Sequence, residues 1–388
     1  MLNFEFYNPT HIVFGKKTET QVGDMVKQYG GRRVLLHYGG GSIKKYGLYD
    51  SIIKSLEASG VEYIELSGVK PNPRLSLVRE GIRMCREQGA DFILAVGGGS
   101  VIDSAKAIAT GTPYGGDVWD FYQGMAEAET VLPVGVVLTI PAAGSESSTG
   151  SVITNEEGWY KRAYNSLLLR PRFAILNPEL SYTLPPFQTA AGAADIMAHV
   201  MERYFTDVTH VDLTDRLCES TLRTVIKYVP IALMEPENYD ARAEIMWAGT
   251  IAHNDLLATG RIGDWASHGI EHELSAVYDV AHGAGLAVVF PAWMKYVYAH
   301  NLDRFVQFAV RVFDVEYDFS DPERTALQGI ERLREYFKST GLAVTLKDLD
   351  IGDDRLEEMA RKCAEDGPVG NFVKLGEKDV WEIYRLAK

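Results

Sequence analysis

The chain has 388 residues, 46% hydrophobic and 24% charged, so it is long enough for two domains and has the composition of an ordered globular protein. Its net charge of −14 disfavours contact with phosphate backbones or anionic lipid, so we expect neither nucleic acid nor a membrane surface as a partner. Three separated cysteines exclude a disulfide framework and favour a reducing cytoplasm. We see no signal-peptide pattern and no apolar run long enough to span a membrane.

Residues 1–184 alternate between strand and helix patterns. The patterns predict strands at 33–38, 61–66, 92–96, 133–141 and 173–176, and helices at 44–59, 75–88 and 101–110. The continuous apolar run FILAV at 92–96 is typical of a strand buried on both faces of a parallel sheet. This order predicts an α/β, doubly wound, Rossmann-like domain that binds a dinucleotide.

The sequence changes character at Pro185 and Pro186, which interrupt the preceding pattern and are well placed to start a helix. Beyond them, long segments rich in Ala, Leu, Glu and Arg contain no convincing alternating strand. We therefore predict an all-α second domain at 185–388.

A glycine cluster follows the buried strand and opens the next helix: Gly97, Gly98, Gly99 and Ser100. Glycines let a ligand approach the backbone closely, and a helix N-terminus offers N–H donors and a partial positive charge. A tight strand–helix turn would need fewer glycines, so we favour a pyrophosphate site. Asp103 lies early in this helix, where it can cap the helix or bond a hydroxyl.

A second cluster follows the strand at 33–38: Gly39, Gly40, Gly41 and Ser42, then Lys44 and Lys45. An NAD-selective site tends to place an acid at this strand end to accept from the ribose 2′-hydroxyl, and this chain has none there. Donors and cations suit a 2′-phosphate, so we expect NADP(H) and consider NAD(H) less favoured. The alternative is that the lysines belong to a solvated helix start.

Histidines and an aspartate occur at helical spacing in the second domain. Asp195 and His199 are four residues apart, as are His268 and His272, so each pair shares a helix face. His282 follows before Gly283, where a helix would end or bend. A single helical histidine is usually structural, but this combination of nitrogen and oxygen donors favours a metal site for Fe(II), Zn(II), Ni(II) or Mn(II).

Motifs across the whole chain resemble the iron-dependent (group III) alcohol dehydrogenases, specifically their butanol dehydrogenase branch. The motifs are FYNPTHIVFG at 6–15, YGGGSIKKYGLYD at 38–50, PNP at 71–73, GGGS at 97–100, LTIPAAGSESS at 138–148, DIMAHVME at 195–202 and WASHGIEHELSAVYDVAHGAGLA at 265–287. The resemblance implies a two-domain fold like that of dehydroquinate synthase, and a metal-dependent oxidoreductase.

The resemblance also assigns roles to individual residues. It implies a metal site formed by Asp195, His199, His268 and His282, with Fe(II) favoured and Zn(II) possible. It implies cofactor contacts at Asn72, Gly97, Gly98, Gly99, Ser100, Asp103, Thr139, Lys161 and Leu180. Family members that use NAD often carry an Asp where this chain has Gly40 or Gly41, which favours NADP(H). With Ser42 and Lys45 from the second glycine cluster, these residues form the predicted cofactor site. His272 matches a histidine that faces the reacting region without binding the metal, and we predict that it relays a proton.

The predicted reaction is hydride transfer between NADP(H) and a short-chain primary alcohol or aldehyde such as butanol or butanal. The alternatives are a glycerol-dehydrogenase-like polyol dehydrogenase, a dehydroquinate-synthase-like lyase and a non-enzymatic sensor. A lyase would need several cations around the metal, and residues 247–287 offer only Arg261. We also expect a homodimer, since residues 2–6 could pair as an edge strand between two copies.

Overall fold

We describe a computed structural model that covers every residue from Met1 to Lys388. The chain divides into two compact units. One, here called the sheet unit, is Tyr7–Leu184, and the other, the helical unit, comprises Pro185–Lys388 together with Met1–Phe6. The assignment of dinucleotide binding to 1–184 and metal binding to 185–388 stays a prediction.

The sheet unit contains eight strands and six helices. The strands are β1 (His11–Phe14), β2 (Arg33–Tyr38), β3 (Glu62–Leu66), β4 (Phe92–Gly97), β5 (Val134–Leu138), β6 (Gly150–Asn155), β7 (Tyr160–Asn165) and β8 (Phe173–Leu176). The helices are α1 (Val22–Gln28), α2 (Ser42–Lys45), α3 (Leu48–Ala58), α4 (Leu75–Gln88), α5 (Gly99–Gly111) and α6 (Trp119–Tyr122).

Six of the strands form one parallel sheet in the order β1-β8-β5-β4-β2-β3. The chain adds β3 on one side of β2 and then returns to place β4 on the other side, so the strand order reverses between β2 and β4. In doubly wound sheets, ligands bind at the carboxyl ends of the strands beside such a reversal. Both glycine clusters lie there, directly after β2 and β4.

The predicted strands are confirmed, with ends that shift by a few residues. The helix predicted at 44–59 is wrong as one element, because Gly47, at φ 77°, separates α2 from α3. The edge strand β1, the antiparallel hairpin of β6 and β7, and the helices α1 and α6 were not predicted. The hairpin strands are only partly buried, so they lack the apolar runs by which the central strands are recognised.

The helical unit contains nine helices and no strand. They are α7 (Pro186–Tyr204), α8 (Asp212–Met234), α9 (Tyr239–His253), α10 (Ala266–Tyr278), α11 (His282–Val297), α12 (Leu302–Phe313), α13 (Pro322–Ser339), α14 (Leu356–Cys363) and α15 (Glu377–Leu386). A single apolar core runs through this unit, and α7 is buried from Thr189 to Tyr204. The predicted fold class, a parallel α/β domain followed by an all-α domain, is confirmed.

The N-terminal residues have no regular secondary structure, so the edge strand expected at 2–6 is absent from the single chain. The Met1 amino group donates to the carbonyl of Thr209, and the Leu2 N–H donates to Gly260. These bonds hold the segment against the helical unit. Across the whole chain, no helix combines the length and apolar character needed to cross a membrane.

Candidate active site

The two glycine clusters occupy equivalent positions at the carboxyl edge of the sheet. Gly97 ends β4 and Gly99 begins α5, with Gly98 between them in extended conformation. A Cβ on Gly97 would lie 2.5 Å from Val101, and one on Gly98 would lie 2.9 Å from Ile140. Glycine is therefore required for packing at these two positions. At Gly99 a Cβ would meet only Ala143, at 3.2 Å.

Asp103 and Lys106 tie α5 to the segment that leads into β6. The Asp103 carboxylate accepts from the Ser145 hydroxyl at 2.5 Å and from the Val152 N–H at 3.0 Å. Lys106 is fully buried and donates to the carbonyls of Ser148 and Gly150 at 3.0 and 2.8 Å. Burial raises the pKa of Asp103, whereas the Lys106 charge acts to lower it. The carboxylate thus bonds a hydroxyl, as one interpretation of the sequence allowed; its role toward a cofactor stays a prediction.

The second glycine cluster is open where the first is tightly packed. A Cβ on Gly40 or Gly41 would have no atom within 4 Å. Lys44 is already engaged, because its Nζ lies 3.6 Å from Glu65 and 4.4 Å from the ring centre of Tyr49. The Glu65 carboxylate in turn accepts from Tyr38 and Tyr49.

Other predicted cofactor residues also follow strand ends. Thr139 comes directly after β5, and its N–H donates to Gly97 at 3.0 Å. Leu180 lies in the helical turn Pro178–Ser181 after β8. Ser42 and Lys45 are in α2, and Ser100 is in the first turn of α5.

Two predicted cofactor residues lie away from strand ends of the main sheet. Asn72 is buried and left-handed, with φ 54°. Lys161 is buried in the hairpin strand β7, where its charge acts to lower the pKa of Asp103.

Three of the four predicted metal ligands converge in the helical unit. The ligand atoms of Asp195, His268 and His282 lie within 4.8 Å of one another. The Asp195 Oδ1 atom is 3.8 Å from His282 Nε2. His199 lies next to these three residues but is not part of the group defined by that distance. Its ring centre is 4.6 Å from that of His268, and its Nδ1 is 3.0 Å from Asp195 Oδ1.

Each of these histidines has its Nδ1 atom bound to an oxygen acceptor. His199 Nδ1 donates to the Asp195 carbonyl at 2.9 Å, and His268 Nδ1 donates to Glu202 at 2.7 Å. His282 Nδ1 contacts Glu271. These contacts leave Nε2 as the ligand atom of each ring.

Two buried polar atoms in the cluster have no hydrogen-bond partner, Asp195 Oδ1 and His268 Nε2. His199 Nδ1 lies 3.0 Å from Asp195 Oδ1, but it bonds the backbone carbonyl of Asp195 instead. Leaving buried polar atoms unsatisfied is unfavourable, and a divalent cation would satisfy both of them at once. One carboxylate with imidazole nitrogens is also a donor set that suits first-row transition metals. The residues present therefore fit a divalent metal.

The electrostatics of the cluster agree with an anionic Asp195 and a neutral His268. Neighbouring histidines, His199 first, hold the pKa of Asp195 below its usual range against the opposing effect of burial. Burial lowers the pKa of His268 well below its usual range. Burial also raises the pKa of Glu202 to about 7, although N–H groups of His268 and Trp265 donate to its carboxylate.

The helix end expected near His282 is wrong, because His282 is the first residue of α11. A Cβ on Gly283 would lie 1.9 Å from the carbonyl oxygen of Ala191. Gly283 therefore lets the start of α11 approach the backbone of α7. That approach brings His282 to Asp195.

Three further aromatic residues surround the cluster. The ring centre of His272 is 5.5 Å from that of His282, and the ring of His253 is 4.3 Å from that of His199. Trp265 lies 5.2 Å from His268 and is left-handed, with φ 70°. The proton-relay role of His272 stays a prediction.

Glu202 and Glu271, which contact the imidazoles of His268 and His282, were not predicted from the sequence. A signal for them was available. Glu202 follows His199 by three residues, and Glu271 follows His268 by the same spacing. Both glutamates are fully buried, which is rare for an ionisable side chain unless it has a partner.

A doubly wound parallel sheet and a cluster of side chains that fits a divalent metal are features typical of the class of metal-dependent dehydrogenases. Residues 9–178 match the iron-containing alcohol dehydrogenase family, and residues 189–388 match the C-terminal domain of the Fe-containing alcohol dehydrogenase family. The chain belongs to the iron-containing alcohol dehydrogenase family and is an alcohol or aldehyde oxidoreductase, as the motifs predicted.

Relatives with full-length similarity carry names that describe related reactions. "Probable NADH-dependent butanol dehydrogenase 1" of Bacillus subtilis is 46% identical, with 100% of both chains covered. "NADPH-dependent aldehyde reductase YqhD" of Escherichia coli is 38% identical, with 97% of this chain and 96% of that protein covered. The crystal structure of NADH-dependent butanol dehydrogenase A from Thermotoga maritima is similar at a TM-score of 0.97 and 43% identity, covering 100% of this chain and 99% of that one.

Proposed function

We propose that this enzyme transfers a hydride between NADP(H) and a short-chain primary alcohol or aldehyde such as butanol or butanal, with a divalent metal held by Asp195, His199, His268 and His282. Fe(II) is the proposed ion, and Zn(II) is the alternative that the same donors accept. The observation that carries the proposal is the pair of unsatisfied buried atoms, Asp195 Oδ1 and His268 Nε2, within one cluster of ligands.

When bound, the metal would act as a Lewis acid toward the oxygen of the substrate. The chain's own residues set up that chemistry. Asp195 supplies a negative charge that burial alone would disfavour, and the imidazole rings supply nitrogen donors. We assign proton transfer with solvent to His272, whose ring lies beside that of His282. His272 belongs to a second group with Glu271 and His282 that could hold a metal, but it is not one of the ligands we propose.

For the cofactor, we propose a pyrophosphate site at the N-terminus of α5 and a 2′-phosphate site at Gly40, Gly41, Ser42 and Lys45. The open space at Gly40 and Gly41 and the lack of an acid on these residues support NADP(H). Lys45 supplies the cation, since Lys44 is engaged with Glu65. NAD(H) is the competing choice, because relatives at 46% and 47% identity are named as NADH-dependent.

The cations next to the ligand cluster support an alcohol dehydrogenase over a lyase that binds a multiply charged substrate. Arg261 is buried and donates to Asp215 at 2.7 Å. Arg203 is buried and donates to the His199 carbonyl at 2.8 Å. Both guanidinium groups are therefore engaged in contacts within the chain. A charged substrate would have to break those contacts before it could pair with either arginine.

We also propose that the enzyme is a cytoplasmic homodimer. The exposed apolar side chains of Leu2, Phe4 and Phe6 support an interface at the N-terminus. The three cysteines are unpaired, in keeping with a reducing compartment. Sedimentation analysis of the wild type and of a variant lacking residues 2–6 would test the dimer.

The central experiment is anaerobic purification, elemental analysis of the bound metal, and oxidation assays of NADPH and NADH with butanal. We expect about one Fe or Zn per chain and faster turnover with NADPH. His268→Ala should lose the metal and the turnover while its circular dichroism spectrum stays that of the wild type.

His300→Ala is the matched control, because His300 is an exposed histidine of the same unit that pairs with Asp207. Full retention of metal by His268→Ala would refute the ligand assignment. Absence of turnover with Fe(II)- or Zn(II)-loaded protein across short aldehydes would refute the proposed substrate class.

A further inference from the structure

Two glutamates in the helical unit reach from one ligand-bearing helix to the histidine of the next. Glu202 follows His199 on α7, but its carboxylate contacts His268 on α10. Glu271 follows His268 on α10, but its carboxylate contacts His282 on α11. Both glutamates are fully buried. The same spacing and the same contact thus recur at two successive helix pairs.

Glu202 holds His268 at two points. Its Oε1 accepts from the His268 Nδ1 at 2.7 Å and from the His268 backbone N–H at 3.0 Å. Its Oε2 accepts from the Trp265 N–H at 2.6 Å. Since Trp265 immediately precedes α10, this carboxylate supplies acceptors for the N–H groups at the start of the helix as well as for the imidazole.

Glu271 holds His282 in space that a glycine provides. Its two carboxylate oxygens contact the Ser275 hydroxyl and His282 Nδ1. A Cβ on Gly285, in the first turn of α11, would lie 2.5 Å from the Glu271 Oε1 and 2.8 Å from its Cγ. Glycine at 285 therefore allows the carboxylate to lie beside His282. Glu271 also forms, with His272 and His282, a second group whose ligand atoms lie within 4.8 Å of one another. Because its carboxylate contacts His282 Nδ1, whereas His282 Nε2 is the atom near Asp195, we assign Glu271 a positioning role and no place among the metal ligands.

We propose that Glu202 and Glu271 are positioning residues, which accept from Nδ1 of His268 and His282 so that Nε2 of each ring faces a divalent metal. This inference rests on the proposed metal site. An Nδ1–H group bound to a carboxylate fixes the tautomer and the orientation of the ring and raises the basicity of the opposite nitrogen. The unsatisfied His268 Nε2, and His282 Nε2 at 3.8 Å from Asp195 Oδ1, lie where this orientation would leave them.

The test is a Co(II) titration of metal-free, full-length protein, followed by the visible absorption of the bound ion. Loss of such a carboxylate typically weakens metal binding by about 10- to 100-fold. We expect that loss for Glu271→Gln and for Glu202→Gln, together with a changed absorption spectrum. Gly285→Ala keeps the carboxylate but forces it away from His282, and we expect at least about a tenfold loss there too.

Glu273→Gln is the matched control. Glu273 is a buried glutamate on the same helix, but its carboxylate lies 3.5 Å from Lys362. The Co(II) affinity of this variant should stay within about twofold of the wild type, because the carboxylate that it removes pairs with Lys362. Gly285→Ala and Glu271→Gln keep the test decisive if Glu202→Gln, which also affects the start of α10, does not fold.

His282→Ala distinguishes a failure of the positioning role from a failure of the metal site. If His282→Ala loses Co(II) while Glu271→Gln and Gly285→Ala bind it like the wild type, the positioning role is overturned and the metal site stands. If His282→Ala binds Co(II) like the wild type, the metal site itself is wrong, and the positioning role is overturned with it. Loss in all three, with Glu273→Gln unaffected, supports the proposal.

Discussion

Single glycines in the sheet unit differ in what an added side chain would meet. Gly97 and Gly98 are enclosed by Val101 and Ile140, whereas Gly40 has open space and a φ value that ordinary residues adopt. The first pair is thus explained by packing. At Gly40, the absence of a side chain has no structural reason within the chain, which is why we relate it to the cofactor.

Gly40→Asp should shift the preference from NADPH toward NADH. A carboxylate there would repel a 2′-phosphate and accept from a 2′-hydroxyl. We expect the ratio of kcat/KM for NADPH to that for NADH to fall by at least about tenfold, which corresponds to ~1.4 kcal/mol. Steady-state kinetics with both cofactors measure it.

Gly115→Asp is the control for added charge, because Gly115 is also open and lies beyond the C-terminal end of α5. It should leave the cofactor ratio unchanged. An unaltered ratio in Gly40→Asp would contradict the proposed 2′-phosphate site.

His37 should make stability depend on pH. It is fully buried in β2, where Nδ1 donates to the Leu66 carbonyl and Nε2 accepts from the Ser104 hydroxyl. Burial lowers the pKa of His37 to about 4. Because the pKa in the unfolded chain is higher, the stabilisation is present above pH ~6.5 and is lost as pH falls toward 4.

Between pH 7 and pH 5, the His37 contribution to the free energy of unfolding should fall by about 2 kcal/mol. His37→Gln has no titratable group at this position. Between pH 7 and pH 5, the free energy of unfolding, measured by urea denaturation, should therefore fall by about 2 kcal/mol less in His37→Gln than in the wild type. Parallel pH profiles for the two proteins would show that His37 does not titrate as described.

At the scale of elements, α5 depends on the segment between β5 and β6. Asp103 and Lys106 lie one turn apart on α5, and both bond to residues 145–152. The serine-rich part of the motif LTIPAAGSESS therefore has an internal role, because Ser145 and Ser148 accept from Lys106. These hydrogen bonds hold in place the helix whose N-terminus we assign to the pyrophosphate.

Lys106→Met should destabilise the protein by about 3 kcal/mol, because it leaves Asp103 and buried carbonyls without their cationic partner. Denaturant unfolding measures this loss, and the affinity for NADPH should weaken with it. Lys54→Met, an exposed lysine on α3, should change stability by no more than about 0.5 kcal/mol. A similarly small effect at Lys106 would contradict the proposed stabilising role of its hydrogen bonds.

At the scale of the whole molecule, the helical unit buries three carboxylates around one cluster of histidines. Asp195, Glu202 and Glu271 are each at most 4% exposed. The two glutamates bind imidazole Nδ1 atoms, but Asp195 Oδ1 has no hydrogen-bond partner. A bound cation would compensate this buried charge, so metal binding should stabilise the folded chain.

Removal of the metal by a chelator should lower the unfolding temperature. At a free metal concentration 100 times Kd, binding contributes about 2.7 kcal/mol, and for a domain of this size that corresponds to roughly 5–10 °C. Calorimetry of metal-free and reconstituted protein measures the shift, which should grow with metal concentration. Equal unfolding temperatures in a sample with bound metal would contradict a stabilising site.

Local patterns in the sequence determined much of this fold. The run FILAV identified β4 because a strand buried on both faces is apolar throughout, and helical spacing placed His199 one turn from Asp195 on α7. The motifs, through family resemblance, indicated the class of enzyme. The break at Gly47 and the partly exposed hairpin of β6 and β7 carried too little local signal to be predicted.

Only the tertiary structure decided which groups meet across helices. Glu202 and Glu271 are three residues from one histidine but bind another, since α7, α10 and α11 bring distant segments together. The reason for a glycine at position 285 becomes evident only from the Glu271 carboxylate that lies against it. Spacing along the chain shows which side chains share one face of a helix. The orientation of the candidate metal ligands depends instead on how the faces of several helices pack against one another.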